Sequence, residues 1–220
     1  MKPPRTHSTG TPCPYTFPVV NQPIPECGVG GLKLVVGGFP RTSTTFLTAI
    51  LRDLGVEKVG HESMFRPDMG FHSIDLLVDV SGFVGPWLPD LSEMGTVSIL
   101  HLIRHPVDTL NSMLNYFDHY FPQGEKEQYW DWMVQVWYAW QKQWATYAHG
   151  TVYMERRVET VQRIGEVLSR KWTEEEILRR GRTAVRGRSS KGHVKGWDDL
   201  PPEVQKFAES YGYTKHGLSV

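Results

Sequence analysis

The sequence predicts a single α/β domain in which a parallel β-sheet is flanked by helices. Short β-branched runs alternate along the chain with longer segments of helical periodicity, which is typical of strand–helix–strand units. The length of 220 residues suffices for one domain with a substantial core, but it is short for two. Ligands of such sheets bind beyond the carboxyl ends of the strands, so we look for functional residues there.

The beginning of the chain differs in composition from the rest. Residues 1–28 contain seven of the 15 prolines, and each proline restricts the residue before it to extended backbone. We therefore predict an extended or disordered arm at 1–28 and a folded domain at 29–220. Either the arm is a tail without a role or it packs over the domain as a strap.

Two strand–loop–helix units follow the arm. Residues 32–36 form a β-branched run, and residues 44–54 carry apolar side chains at helical spacing up to Gly55, which favours a helix end. Residues 97–103 predict a second such strand, and Pro106 stands where the first residue of the next helix would be.

The remainder of the chain continues the alternation. Thr173 and Glu176 form a capping box, which predicts the start of a helix. The predicted elements are an aromatic helix at about 126–147, a strand at 151–154, helices near 157–169 and 173–181, and a closing helix at 201–212.

The long helix carries its large side chains on one stripe, and we interpret this stripe as core packing, with part of an acceptor cleft as the alternative. Its members are Trp130, Met133, Trp137, Trp140, Trp144 and Tyr147.

Composition narrows the function classes. The 24 basic and 24 acidic residues balance, so no overall field favours nucleic acid or an anionic membrane. The two cysteines, Cys13 and Cys27, are too few for a disulfide framework and lack metal-ligand spacing, which favours a reducing compartment. No run reaches the roughly 20 apolar residues of a membrane helix. We predict a cytoplasmic protein without a metal site, and no feature indicates its oligomeric state.

The junction of the first strand and helix has the composition of an anion-binding loop. The segment from Gly38 to Thr45 overlays the P-loop pattern G-x-x-x-x-G-K-S/T, but Ser43 replaces the second glycine and Thr44 replaces the lysine. Nucleotide kinases need that lysine and Mg²⁺ at the phosphates, so its loss argues against such chemistry. The cation lies instead inside the loop, at Arg41.

The same segment resembles the phosphosulfate-binding loop of the sulfotransferase family, P-K/R-S/T-G-T-T-W/F/L. These enzymes use 3′-phosphoadenosine 5′-phosphosulfate, and the resemblance implies a P-loop NTPase-like sulfotransferase fold. It also implies that Arg41 contacts the bridging oxygen and the sulfuryl group, and that Phe46 lies against the adenine. Ser43 places a side chain where the family has glycine, so we expect crowding of the phosphate or a backbone adjustment. The loop residues implied in binding the 5′-phosphate are Gly38, Pro40, Thr42, Ser43, Thr44 and Thr45.

A second family pattern occurs at the end of the second strand. The family has an arginine there, followed by Asp or Asn, a proline, and a serine eight residues after the arginine, and these bind the 3′-phosphate. The corresponding residues are Arg104, His105, Pro106 and Ser112, with histidine in the Asp/Asn position. Arg104 can grip a phosphate in a fork, and Ser112 lies two helical turns further on.

A third and looser match lies before the closing helix. The family carries an Arg-Lys-Gly-type loop that closes over the 3′-phosphate, and this chain has Arg188, Lys191 and Gly192 in that region. A solvated basic loop explains these residues equally well.

The base is implied by similarity to bacterial sulfotransferases, which carry Gly-His-Glu after a short second strand. Residues 59–62 (Val-Gly-His-Glu) stand at this place. We predict that Glu62 takes the acceptor proton, with His61 either orienting it or acting as the base itself. The alternative is a surface loop. Residues 79–81 and Trp87 resemble the acceptor side of these enzymes, and we assign them no role.

The predicted function is transfer of a sulfuryl group to a hydroxyl or amine, leaving 3′,5′-ADP. The acceptor is a small molecule, a carbohydrate or a lipid. Two alternatives stay open: a Mg²⁺-dependent P-loop kinase or NTPase, and a catalytically inactive nucleotide-binding module. Nucleic acid is not an expected partner, because the chain is neutral.

Overall fold

A computed structural model describes residues 30–63, 65–66, 70–71, 76–116, 129–181 and 195–219. The predicted arm at 1–28 lies outside the described residues, and so do the predicted ligands Arg188, Lys191 and Gly192.

The described elements follow the predicted alternation of strands and helices. In chain order they are β1 (Leu34–Gly37), α1 (Thr44–Asp53), β2 (Val59–His61), β3 (Phe65–Arg66), β4 (Gly70–Phe71), β5 (Val78–Val80), α2 (Leu88–Met94), β6 (Ser98–Ile103), α3 (Pro106–Tyr116), α4 (Trp130–Tyr147), β7 (Gly150–Tyr153), α5 (Arg157–Val167), α6 (Glu174–Gly181), α7 (Pro202–Glu209), β8 (Tyr213–Thr214) and β9 (Gly217–Leu218).

Five of these strands form one parallel sheet in the order β2-β5-β1-β6-β7. The first strand lies at the centre, paired in parallel with β5 on one side and β6 on the other. The connection after β1 leads to β2 on one side of the sheet, whereas the connection after β6 leads to β7 on the other side. A ligand is expected where adjacent connections diverge in this way, at the carboxyl ends of β1 and β6. The predicted fold class, a single α/β domain with a parallel sheet flanked by helices, is confirmed.

Apolar clusters cover both faces of the sheet. Val35 of the central strand belongs to the cluster formed with α2, α3, α4 and α7, whereas Leu34 and Val36 belong to the cluster formed with α1, α5 and α6. This alternation is the period of two expected of a strand buried on both sides. The aromatic stripe of α4 is core, as predicted: Trp130, Trp137 and Trp144 are completely buried.

Several predicted boundaries are confirmed and one assignment was wrong. Pro106 is the first residue of α3, and the capping box of α6 is present, with the Thr173 N–H donating to Glu176 Oε2 at 2.8 Å and the Glu176 N–H donating to Thr173 Oγ1 at 3.2 Å. Residues 59–61 are themselves the strand β2 rather than the segment after it. The pairs β3–β4 and β8–β9, the strand β5 and the helix α2 were not predicted, and all of them are short.

Of the helices that the structure describes, none combines the length and hydropathy that a membrane crossing requires.

Candidate functional site

The loop between β1 and α1 lies at the carboxyl edge of the sheet. Its glycines are required by close packing of the backbone: a Cβ on Gly37 would lie 1.7 Å from the carbonyl oxygen of Ser81, and one on Gly38 would lie 2.2 Å from that of Leu102. The neighbouring strands therefore explain both glycines. Gly38 remains a predicted phosphate ligand through its backbone alone.

Two residues of this loop adopt left-handed backbone. Arg41 has φ 77°, and Ser43 has φ 73° and ψ 33°. The conformation of Ser43 is one that glycine adopts without steric cost, which explains why the family pattern has glycine at this position. Ser43 immediately precedes α1, yet its side chain makes no capping hydrogen bond. Ser43 thus adopts the backbone conformation of the glycine that it replaces.

The hydroxyls of the loop differ in their contacts. Thr42 is completely buried, and within the described part of the chain its Oγ1 has no hydrogen-bond partner. Thr44 Oγ1 and Thr45 Oγ1 lie 3.0 Å and 3.3 Å from Nε2 of His61. The first amides of α1 are also available to a ligand, because a helix cannot satisfy its first N–H groups internally. The loop thus offers hydroxyls and N–H groups to an anion.

The two predicted anion-binding groups (anion grips), one at Arg41 and the other at Arg104 and Ser112, are in contact. Arg41 Nε donates to Ser112 Oγ at 3.3 Å, and Arg104 Nη1 donates to the carbonyl oxygen of Arg41 at 3.4 Å. The Arg41 guanidinium also lies over the ring of Tyr116, 4.8 Å from its centroid, and Arg104 pairs with Asp108 at 3.8 Å. Tyr116 was missed by the sequence analysis, although it follows Ser112 by one helical turn and so shares its face.

The electrostatics of this cluster favour an anion. Arg41 is an exposed residue by surface area, but its guanidinium packs between Ser112 and Tyr116. This partial burial lowers the pKa of Arg41 from its ordinary value; Tyr116 opposes the shift, and the neighbouring cation Arg104 adds to it. An arginine nevertheless stays charged at neutral pH. An anion placed between the two guanidinium groups would relieve their repulsion.

The start of α3 is held by a residue that the sequence analysis missed. Glu155 accepts the His105 N–H at 2.9 Å through Oε1 and the Tyr213 hydroxyl at 2.9 Å through Oε2. His105 Nε2 donates to the carbonyl oxygen of Thr214 at 2.9 Å. A carboxylate from fifty residues further along thus does what the Asp or Asn of the family pattern would do locally. No local sequence signal could have found it.

The predicted base lies across the loop from the arginines. His61 is half-buried; burial lowers its pKa, and the cation of Arg52 lowers the pKa further, so the ring is neutral at pH 7. Glu62 Oε1 lies 3.9 Å from His61 Nε2. Because that nitrogen already contacts the hydroxyls of Thr44 and Thr45, His61 links the phosphate loop to the carboxylate.

Phe46 faces the opposite end of the loop. Its ring lies 4.9 Å below the guanidinium of Arg157, and a Cβ on Gly181, the last residue of α6, would lie 3.8 Å from its Cζ. At the other end, Asn111 bonds both the N–H and the carbonyl of Lys195. The described residues that flank segment 182–194 therefore lie beside Phe46 and beside Asn111.

Among the residues that the structure describes, no group of three or more histidine, cysteine, aspartate or glutamate side chains is placed to hold a metal ion.

No protein-family model matches this chain, and no curated protein matches it. Among solved structures, mouse sulfotransferase SULT7A1 complexed with PAP superposes with a TM-score of 0.54 at 12% identity, over 82% of this chain and 82% of that one. The chain has the fold of a sulfotransferase. Retinol dehydratase in complex with androsterone and inactive cofactor PAP superposes with a TM-score of 0.49 at 14% identity, over 76% of this chain and 66% of that one. Shikimate kinase from Bacteroides thetaiotaomicron follows with a TM-score of 0.43 at 18% identity, over 63% and 98%.

Proposed function

We propose that this protein is a sulfotransferase that moves a sulfuryl group from 3′-phosphoadenosine 5′-phosphosulfate to a hydroxyl or amine. One observation carries the proposal: Arg41 of the first loop contacts Ser112 of α3 at 3.3 Å, with Arg104 bonded to the Arg41 backbone. Two cationic grips at neighbouring strand ends suit a nucleotide with anions at both its 3′ and 5′ positions. The fold shared with a PAP-bound sulfotransferase supports the same donor.

The residues present fit this donor. Thr42 has a buried hydroxyl without a partner among the described residues, as expected of a group that awaits a ligand. The amides at the start of α1 and the hydroxyls of Thr44 and Thr45 would hold the 5′-phosphate, and Arg104 and Ser112 would hold the 3′-phosphate. Bound there, the donor supplies the sulfuryl group and a phosphate leaving group.

Each residue then has one task in the transfer. Glu62 accepts the proton of the acceptor hydroxyl, whose oxygen forms a new bond to sulfur while the bond from sulfur to the 5′-phosphate oxygen breaks. The electron pair of that bond remains on the phosphate, and Arg41 stabilises the growing negative charge. His61 Nε2 is engaged by the hydroxyls of Thr44 and Thr45, so we assign His61 to orienting the loop and Glu62 to the role of base.

The first experiment separates the two grips by calorimetric titration with 3′,5′-ADP and with 5′-AMP, which differ only in the 3′-phosphate. We expect the parent protein to prefer 3′,5′-ADP by at least about tenfold, since a charge-assisted contact contributes about 1.5–3 kcal/mol. Arg104→Ala should reduce that preference, because Ser112 is then the remaining 3′-phosphate ligand, and it should weaken 3′,5′-ADP binding more than 5′-AMP binding. Arg163→Ala is the matched control, because Arg163 is an exposed arginine of α5 paired with Glu166.

Equal affinity of the parent for both nucleotides would contradict the two-grip arrangement. Transfer itself is measured with radiolabelled donor and a panel of phenols, sugars and amines. Binding without any product would favour the inactive module, and Mg²⁺-dependent ATP turnover would favour the kinase.

A further inference from the structure

A carboxylate is buried in the middle of the sheet next to the candidate site. Asp79 is the central residue of β5 and is completely inaccessible. Burial of a carboxylate is costly unless hydrogen bonds compensate it. Asp79 Oδ1 accepts the backbone N–H of Ser63 at 3.2 Å, beyond the end of the neighbouring strand β2.

The sequence of β2 makes this contact possible. Gly60 pairs with Asp79 in the parallel register, and a Cβ on Gly60 would lie 2.7 Å from Asp79 Oδ1. Any other residue would therefore displace the carboxylate. The glycine of the Gly-His-Glu segment thus has a structural reason, which is to give Asp79 access to the turn that follows.

Ser63 transmits this contact along the chain. Its hydroxyl accepts the His61 N–H at 3.0 Å and donates to the His61 carbonyl at 3.3 Å. One hydroxyl can do both, because it has one donor and two acceptor sites. Residues 61 and 63 are thereby tied together, with Glu62 between them.

Glu62 is held in a strained conformation by these bonds. Its φ is 53°, in the left-handed region that is sterically unfavourable for a residue with a Cβ. Its own N–H donates to the Val80 carbonyl at 3.2 Å, which anchors the turn to β5. Strain of this kind persists where surrounding structure imposes it, and it concentrates at functional sites. Arg41 and Ser43, the other left-handed residues of this site, lie in the loop opposite.

We propose that Asp79 is a positioning residue: through Ser63 it imposes the left-handed backbone of Glu62 and so sets the direction in which that carboxylate meets the acceptor. This inference rests on the proposed function, in which Glu62 is the base. Asp79 itself touches neither donor nor acceptor.

The first test measures the imposed backbone without any substrate, by urea unfolding of Glu62→Gly and Glu62→Ala. In the parent background we expect Glu62→Gly to have the higher unfolding midpoint, because glycine adopts φ 53° without strain. In the Asp79→Ala background the order should reverse, since a released turn returns to backbone that favours alanine. Asp79→Val, which also removes the acceptor of the Ser63 N–H and suits a strand, serves as the second background if Asp79→Ala does not fold. If Glu62→Gly has the higher unfolding midpoint in these backgrounds as well as in the parent, the proposal is overturned.

The second test is a double-mutant cycle on sulfuryl transfer to 2-naphthol from radiolabelled donor. Ser63→Ala should lower kcat about tenfold in the parent, as a misdirected base does, and leave it unchanged in Glu62→Gln. Affinity for 3′,5′-ADP should stay within about twofold, because the donor grips are untouched. Ser210→Ala removes a hydroxyl that donates locally to the Phe207 carbonyl at 2.6 Å, at the end of α7, and should leave kcat intact.

The two failures are distinguishable. If Glu62→Gln transfers as fast as the parent, the role of Glu62 as the base is wrong, while the unfolding test still decides the role of Asp79. If Glu62→Gln lowers kcat, and Ser63→Ala lowers kcat by the same factor in Glu62→Gln as in the parent, Glu62 remains the base and the positioning role is overturned.

Discussion

At the scale of single residues, the site depends on side chains attached to backbone that normally belongs to glycine. Ser43 replaces the glycine of the family pattern but takes its conformation, with φ 73°. The helix start does not depend on its hydroxyl, since no capping bond is made. The replacement therefore costs strain and contributes no contact of its own to α1.

Replacement of Ser43 by glycine should stabilise the protein. Relief of left-handed strain gains about 1–2 kcal/mol, and the greater freedom of glycine in the unfolded chain costs about 0.5–1 kcal/mol, so the free energy of unfolding should rise by about 0.5–1 kcal/mol. Urea unfolding measures this change. Ser43→Val should lower the stability, because a β-branched residue tolerates positive φ least. A loss of stability in Ser43→Gly would show that the serine side chain has a partner in solution.

The same residues mark what sequence can predict about the site. The loop pattern and the strand-end arginine place Arg41, Arg104 and Ser112 near one sheet edge, because carboxyl ends of parallel strands meet there. The contact of the Arg41 side chain with Ser112 and Tyr116 could not be predicted. It depends on the direction that φ 77° gives to the Arg41 Cβ, and no sequence pattern encodes that angle.

At the scale of elements, α3 is positioned by contacts with parts of the chain that are distant in sequence. Glu155 follows β7 and joins the first turn of α3 to the hairpin β8–β9, through His105 and Tyr213. Burial raises the pKa of the Tyr213 hydroxyl, and the adjacent carboxylate of Glu155 raises it further, so the hydroxyl remains a donor. This link holds the residue next to Arg104 and therefore one donor grip.

Removal of this carboxylate should weaken both stability and donor binding. Glu155→Ala leaves the His105 N–H and the Tyr213 hydroxyl without their acceptor, which should lower the free energy of unfolding by about 1–3 kcal/mol. Tyr213→Phe removes one bond only and should cost about 1 kcal/mol. We expect weaker 3′,5′-ADP binding by calorimetry in Glu155→Ala. Glu159→Ala, which removes a contact with Arg156 at 3.4 Å, is the control; an equal loss there would contradict the link.

Short strands were the elements that sequence could not supply. β5 has three residues with the charged Asp79 in the middle, so it has no apolar run of its own and its alternation is too short to indicate a strand. Only its position between β1 and β2 makes it a strand, because its neighbours satisfy its backbone. The longer runs of β1 (LVVG) and β6 (SILHLI) were predictable because aliphatic residues dominate them.

At the scale of the whole molecule, one polar contact crosses from the sheet to the aromatic helix. His101 of β6 is completely buried, its Nε2 donates to Gln141 Oε1 of α4, and its ring stacks on Trp144 with centroids 6.0 Å apart. Among the described residues its Nδ1 has no partner. Burial therefore lowers the pKa of His101 to about 4, and the bond to Gln141 opposes this shift.

The protein should lose stability in acid through this residue. Between the unfolded pKa of 6.5 and the folded pKa of about 4, the unfolded chain binds a proton that the folded chain excludes. The free energy of unfolding should accordingly fall as pH decreases through this window, by about 3 kcal/mol in total, and should be unaffected by His101 above it. His61 acts in the same direction, because its pKa is also lowered. Urea unfolding from pH 7.5 to 4 measures the slope, and His101→Gln, which has no titrating ring, should reduce it. A slope equally steep in this variant would mean that other groups cause the acid sensitivity. If NMR shows that the His101 ring titrates near its ordinary pKa, solvent reaches the contact between β6 and α4.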